Sequence, residues 1–170
     1  MKRLFALLLA LALCVCLASC TNETNPEPAS KTSSASEETK EVFAFTYNGT
    51  ALAMHAPAAP LLEKLGEPKS YTESPSCAFS GLDKTYFYGS FYVTTYPFED
   101  TDYILGVWFA DDSVATDKGI FIGSKKEDVI AAYGQADGAS LVYTKGQSTL
   151  TFVIKDDTVS DILYDAVFDE

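Results

Sequence analysis

Arginine, histidine and cysteine are scarce in this chain of 170 residues, which contains one arginine, one histidine and four cysteines. Twelve basic residues stand against 24 acidic ones, so the formal net charge is −12. Proteins that bind nucleic acid neutralise phosphates with clustered Lys and Arg, so this composition excludes a nucleic-acid partner. One histidine and so few cysteines also predict no zinc site, because such a site needs several of these ligands.

The first nineteen residues have the pattern of a secretory signal peptide. Lys2 and Arg3 precede an uncharged apolar run at 4–17, and small residues follow. The run is shorter than the roughly 20 residues that cross a membrane. It ends in the letters LASC, which resemble a bacterial lipobox. The resemblance implies cleavage before Cys20 and acyl chains such as palmitate on that cysteine; the alternative is an ordinary signal peptide next to an incidental cysteine.

Residues 20–40 are predicted to be the lipidated cysteine and a disordered tether. Eight of residues 21–40 are Ser or Thr, and none is Leu, Ile, Val or aromatic. Such a segment cannot bury enough apolar area to offset the entropy lost on ordering. We expect the lipid to hold the protein on the extracytoplasmic face of a bacterial cell membrane. Removal of 1–19 would leave ten lysines against 24 acids, a net charge of −14.

Cys77 is the one cysteine beyond the predicted signal peptide and lipid attachment site. An intramolecular disulfide in the mature chain is therefore excluded, and the fold must be stable through its core. A cysteine nucleophile needs a nearby base, and the one histidine is distant in sequence. We therefore predict that Cys77 is a small buried apolar residue.

The folded region is predicted to contain two related halves, residues 41–112 and 113–170. Each half has a short helix that ends at a glycine, one within 56–66 and one within 124–134. Ser124 and Glu127 have the spacing of a capping box at the start of the second helix.

A three-stranded antiparallel meander is predicted after each helix, because short β-prone runs alternate there with Gly- and Asp-containing turns. The predicted strands lie at 85–88, 91–96 and 103–109 in the first half and at 141–144, 150–154 and 159–168 in the second. Extended pieces at 42–47 and 119–123 are expected to begin the halves, and 69–82 is interpreted as an insertion. The predicted class is α+β, a sheet with short helices on one face.

This order of elements is similar to the tandem modules of the β-lactamase inhibitor protein family and to the small SmpA/OmlA-type lipoproteins of outer-membrane assembly. The residues that carry the resemblance are the run at 119–124, the pair Asp128 and Val129, and the pair Tyr133 and Gly134. The resemblance implies a sheet with one open face, and in those families the open face and its loops bind proteins. No specific functional residue of those families can be matched here.

No arrangement typical of catalysis is present, so no catalytic residue, cofactor or metal is predicted. His55 is the one imidazole, and it precedes the first helix in a loop, where a structural role is expected. Acidic residues cluster at 99–102, 111–112 and 156–157, without the spacing of an EF-hand. Because Asp favours turns, these clusters are interpreted as solvated turns. A calcium site and carboxylate-based hydrolysis remain the alternatives.

Aromatic residues are concentrated between Thr85 and Phe109, where ten of 25 residues are Phe, Tyr or Trp. A phenol needs a polar partner or water, so tyrosines are expected to point outward and phenylalanines inward. Alternation then predicts an exposed tyrosine face. Its residues would be Tyr86, Tyr88, Tyr92 and Tyr96. The alternative is that this face packs on the other half or only reflects strand propensity.

The functional hypothesis is a non-catalytic binding module whose partner is a protein or a cell-envelope polymer, attached to the membrane by its N-terminal lipid. Two alternatives remain at this point: an envelope hydrolase that uses carboxylates, and a structural member of an envelope assembly.

Overall fold

The computed structural model describes residues 41–169, which form a mostly antiparallel β-sheet with two short helices. This composition agrees with the predicted α+β class. The elements in chain order are β1 (Ala44–Tyr47), β2 (Thr50–Ala53), α1 (Ala59–Leu65), β3 (Ser70–Pro75), β4 (Leu82–Phe87), β5 (Phe91–Phe98), β6 (Thr101–Phe109), α2 (Lys126–Tyr133), β7 (Ser140–Thr144), β8 (Ser148–Lys155) and β9 (Thr158–Ala166).

Seven strands form one sheet in the order β3–β4–β5–β6–β9–β8–β7, and all neighbours are antiparallel. β6 and β9 pair at the centre, so the β4–β6 meander lies on one side of this pair and the β7–β9 meander on the other. β1 and β2 form a separate hairpin. The positive φ of Asn48 and Gly49 at its turn explains the Asn-Gly pair between these strands.

One face of the sheet carries the hydrophobic core, and we call it the covered face. Val93, Val107 and Tyr164 are fully buried there, in register across β5, β6 and β9. Phe45 of the hairpin packs edge-on against Phe91, with ring centroids 5.0 Å apart. The residues that alternate with these along each strand point to the other side of the sheet, which we call the open face.

Both helices pack side chains against this core. α1 contributes partly buried leucines, and α2 contributes the fully buried Val129. Each helix ends at the predicted glycine, Gly66 or Gly134, with φ of +81° and +102°. Their ψ values, −162° and 175°, are extended rather than left-handed helical, so the chain leaves each helix directly in an extended direction.

The predicted capping box at Ser124 and Glu127 is wrong by one residue. The N-cap of α2 is Lys125, and the Asp128 carboxylate accepts the Lys125 backbone N–H at 3.3 Å. The Ser124 hydroxyl instead accepts the N–H of Phe121 at 3.0 Å. Ser124 is thus part of the turn that precedes the helix.

Two strand predictions also need correction. The predicted insertion at 69–82 contains β3, which makes the first meander four-stranded and places β3 at the sheet edge. All six residues of β3 are exposed, so its sequence lacks the apolar alternation that signals a half-buried strand. The segment 119–123, predicted to be extended, forms turns and no strand.

Candidate functional site

A continuous row of side chains crosses the open face of the sheet. Strand pairing aligns, in this order, Phe87, Tyr92, Trp108, Leu163, Thr151 and Val142. We call these six side chains the Trp108 row. The rings of Phe87 and Tyr92 stack with centroids 4.5 Å apart, and Trp108 is 43% exposed. Since neighbouring strands lie about 4.8 Å apart, the row is an apolar strip about 24 Å long.

Two carboxylates flank the centre of this row on β9. Asp161 and Asp165 lie two residues before and after Leu163, so both share its face. Asp161 is exposed and accepts the hydroxyl of Ser160 at 2.7 Å. Asp165 is half-buried, and burial raises its pKa, while a hydrogen bond from Trp108 acts in the opposite direction. The exposed indole therefore lies next to a carboxylate that is partly removed from water.

Gly106 provides the space that Asp165 occupies. The two residues are opposite each other in the β6–β9 register. A Cβ atom at Gly106 would lie 2.8 Å from the Tyr164 carbonyl oxygen and 3.1 Å from Oδ1 of Asp165. A side chain at this position would therefore displace either the β9 backbone or the carboxylate.

The four predicted site tyrosines do not share one open face. Tyr86 is opposite the buried Val93, and Tyr88 stacks on the buried Phe91, so both face the core. Their burial raises the pKa of each phenol. Tyr92 does lie on the open face. The predicted pattern therefore holds for Phe91 and Tyr92 of β5 but is reversed on β4.

Tyr96 has the open-face parity of Tyr92 but is only 6% exposed. Its ring is covered by Phe79 and Phe168, whose centroids lie 4.9 and 5.0 Å away. Both rings come from segments outside the strands, and Phe168 follows the end of β9. Tyr96 is thus part of a local aromatic cluster rather than of an exposed surface.

His55 completes this cluster and has a structural role. Nε2 donates to the carbonyl oxygen of Gln147 at 2.9 Å, since a carbonyl can only accept. In the neutral ring Nδ1 then accepts from the hydroxyl of Tyr96 at 3.0 Å. With both ring nitrogens engaged, the side chain connects the end of β5 to the turn before β8.

Cys77 is exposed, so the prediction that it is buried is wrong. It lies in the loop between β3 and β4, where Ser76 accepts the backbone N–H groups of Ala78 and Phe79. Its exposure could not be judged from the sequence because the edge hairpin that carries it was not predicted.

Of the predicted acidic turns, Glu99 and Asp100 connect β5 to β6, and Asp156 and Asp157 connect β8 to β9. Asp102 lies in β6 and pairs with Lys84, so the prediction of a solvated turn is wrong for this residue. Glu99, Asp156 and Asp157 all have positive φ, between 51° and 59°. Within residues 41–169, no group of three or more His, Cys, Asp or Glu side chains is arranged to hold a metal ion.

The predicted signal peptide, Cys20 and the tether lie outside the described residues. Among the described helices, none is long and apolar enough to span a membrane. Comparisons of the chain with protein family models, with curated proteins and with solved structures found no match.

Phe87, Trp108 and Leu163 belong to the candidate surface but were not predicted from the sequence. For Phe87, the signal that could have found it is the short loop at Gly89 and Ser90, which sets Tyr88 opposite Phe91. That register places an odd-numbered residue of β4 next to an even-numbered residue of β5. Loop length, not residue type, therefore decides which aromatic rings share a face.

Proposed function

We propose that this protein is a lipid-anchored, non-catalytic binding module on the extracytoplasmic face of a bacterial cell membrane, and that the Trp108 row is its binding surface. The observation that carries this proposal is the exposed Trp108 next to the half-buried rings of Phe87 and Tyr92, on the sheet face opposite the core. Aromatic side chains at exposed, continuous positions are typical of recognition surfaces, because they supply large contact area at low entropic cost.

A protein or a polymer of the cell envelope is the proposed partner. The engagement of both His55 nitrogens, by Gln147 and Tyr96, supports a binding role over a catalytic one, because it leaves the one imidazole without a free nitrogen for proton transfer.

We also propose that residues 41–112 and 113–170 are related halves, as the resemblance to β-lactamase inhibitor protein modules and SmpA/OmlA-type lipoproteins implies. The support is the order of elements, in which a helix precedes a meander in both ranges, and the central pairing of β6 with β9, the last strand of each.

The binding surface can be tested with Trp108→Ser and a matched control. Phe121 is also 43% exposed but lies in the turns before α2, away from the Trp108 row, so Phe121→Ser removes an equally exposed ring. We expect capture of partners from solubilised envelopes to fall for Trp108→Ser and to be unchanged for Phe121→Ser, with thermal unfolding as the folding control. Equal capture by both variants would remove the Trp108 row from consideration. Turnover of a cell-wall polymer by the purified protein would favour the hydrolase alternative.

The anchor is tested separately by Cys20→Ser. Without its acylated cysteine the protein should either appear in the soluble fraction or accumulate as an unprocessed membrane precursor. The measurement is fractionation followed by mass determination of the N-terminal peptide. A variant that is processed and fractionates like the wild type would show that Cys20 is not the anchor.

A further inference from the structure

The charged strand residues nearest to Trp108 on the open face are both acidic. The strand residues of the Trp108 row and of the two rows next to it include only two charged side chains, Asp161 and Asp165. The other residues of these neighbouring rows are small, apolar or hydroxylated, for example Thr85, Thr94 and Thr149. An anionic ligand would meet two carboxylates beside Trp108, so charge complementarity favours a cationic ligand here.

The geometry further restricts the cation. Residues two apart on a strand are about 6.7 Å apart, and directly opposed residues on neighbouring strands are closer. Trp108 is opposite Leu163 in the strand register, so its place on the sheet lies between the places of Asp161 and Asp165, and its indole hydrogen-bonds to Asp165. A planar guanidinium can stack on an aromatic ring while its N–H groups, which lie in its plane, donate to a carboxylate beside that ring. A lysine ammonium has no plane to stack and cannot make both contacts in this way.

Asp165 costs stability in its present position. It is half-buried in a strand, and burial raises its pKa. A buried carboxylate is destabilising unless a cation or hydrogen-bond donor compensates it, and the hydrogen bond from Trp108 does so only in part, because the pKa remains raised. Among the described residues, Lys84 is the one lysine in β4, β5, β6 or β9, and it pairs with Asp102. A ligand that brings a positive charge would offset this cost at the place where the aromatic surface is exposed.

A second copy of this chain does not meet the requirement. Its one arginine is Arg3, within the predicted signal peptide, and its own open face would bring two further aspartates. The predicted tether, 21–40, contains lysine but no arginine. The guanidinium must therefore come from another molecule.

Building on the proposed function, we propose that the open face binds an arginine-containing segment of a partner protein, with a guanidinium stacked on Trp108 and hydrogen-bonded to Asp165 or Asp161. The flat strip of Phe87 and Tyr92 next to Trp108 would accept the aliphatic part of the same segment.

Trp108 is the one tryptophan of the chain, so its fluorescence reports this contact directly. The full-length protein in mild detergent would be titrated with three capped peptides of the same sequence in which the central residues are arginine, lysine or citrulline. Citrulline keeps the shape of arginine without its charge. We expect the arginine peptide to change Trp108 emission saturably, the lysine peptide to bind at least about fivefold more weakly, and the citrulline peptide to leave emission unchanged.

Variants of the two carboxylates test whether Asp165 or Asp161 binds the arginine peptide. Asp165→Asn and Asp161→Asn should each weaken the arginine peptide, the larger effect being at least about fivefold, whereas the exposed turn variant Asp157→Asn should bind as the wild type does. Circular dichroism and thermal unfolding establish that each variant is folded. Equal binding of the lysine or citrulline peptide, or unchanged binding in both carboxylate variants, would overturn the arginine proposal.

A parallel titration uses an oligomer of N-acetylglucosamine, a neutral glycan that can also stack on aromatic rings. Saturable binding of this probe in place of the arginine peptide would overturn the arginine proposal and leave the Trp108 row as a binding surface. A lack of response to every probe would also overturn it, whereas the proposed function is decided independently by the capture comparison of Trp108→Ser with Phe121→Ser.

Discussion

The two faces of this sheet carry neighbouring rows of large side chains with opposite roles. On the covered face, Val93, Val107 and Tyr164 align across three strands and are fully buried. One residue further along the same strands, Tyr92 and Trp108 align with Leu163 on the open face, and Trp108 remains 43% exposed. Both rows are apolar, so apolar character alone does not identify the core of this protein.

What distinguishes the faces is the presence of covering elements. The β1–β2 hairpin and both helices place side chains against one face only. Where other segments reach the open side, as Phe79 and Phe168 do at Tyr96, the ring there is buried as well. The exposure of Trp108 next to a filled core is the reason for proposing that this row serves recognition.

The largest expected difference between the two faces is in the free energy of unfolding lost when one aromatic ring is removed from each. Phe45→Ala empties a site between Phe91 and Phe109, whose ring centroids lie 5.0 and 4.9 Å from that of Phe45. We expect it to lower the free energy of unfolding by about 3–5 kcal/mol. Trp108→Ala removes a larger but exposed ring and should cost about 1 kcal/mol or less. Chemical denaturation of both variants measures the difference, and similar losses would mean that Trp108 is a core residue.

A smaller loss of unfolding free energy is expected from a substitution at Gly106, where the β6 and β9 backbones lie close together. Gly106→Ala places a Cβ atom 2.8 Å from the Tyr164 carbonyl oxygen, closer than packed atoms allow. We expect a loss of about 1–3 kcal/mol, because the β6–β9 pair at the centre of the sheet must shift. The control is Ala110, an exposed residue directly after β6. Ala110→Ser should leave the free energy of unfolding nearly unchanged in the same denaturation experiment. Unchanged stability of Gly106→Ala would mean that β6 and β9 are less closely paired than described.

The smallest effect concerns Asp165 and depends on pH. Burial raises the pKa of its carboxyl above that of the unfolded chain, so the charged form destabilises the fold once pH exceeds the folded-state pKa. This penalty disappears below the ordinary aspartate pKa, because both states are then protonated. Asp165→Asn should therefore raise Tm modestly near pH 7 and leave it unchanged near pH 3. A variant less stable at both pH values would show that the carboxylate has a structural role.

The sequence was sufficient to predict both helices, the β4–β5 and β7–β8 hairpins and the turn at Asp156 and Asp157. These depend on local signals, such as the glycines Gly66 and Gly134 or the turn at Asp156 and Asp157, which act within a few residues. β3 was missed because an edge strand with no buried residue carries no alternating pattern.

The candidate surface was predicted only in part for a different reason. Alternation along β5 correctly placed Tyr92 and Phe91 on opposite faces of the sheet. Alternation within one strand does not give the register between strands, so it could not show that Phe87, and not Tyr86, lies next to Tyr92. Burial of Tyr96 depends on Phe168, about seventy residues away in the chain, and a contact of that range leaves no local signal.

The central claim, that the open face is where this protein meets its partner, is tested most directly by a photocrosslinking amino acid placed at position 108 or at position 121 in cells that carry the protein. The two positions have equal exposure, so they differ only in location. The account predicts a crosslinked adduct of defined mass from position 108 and none from position 121. Adducts of equal yield from both positions, or an adduct from position 121 alone, would contradict it.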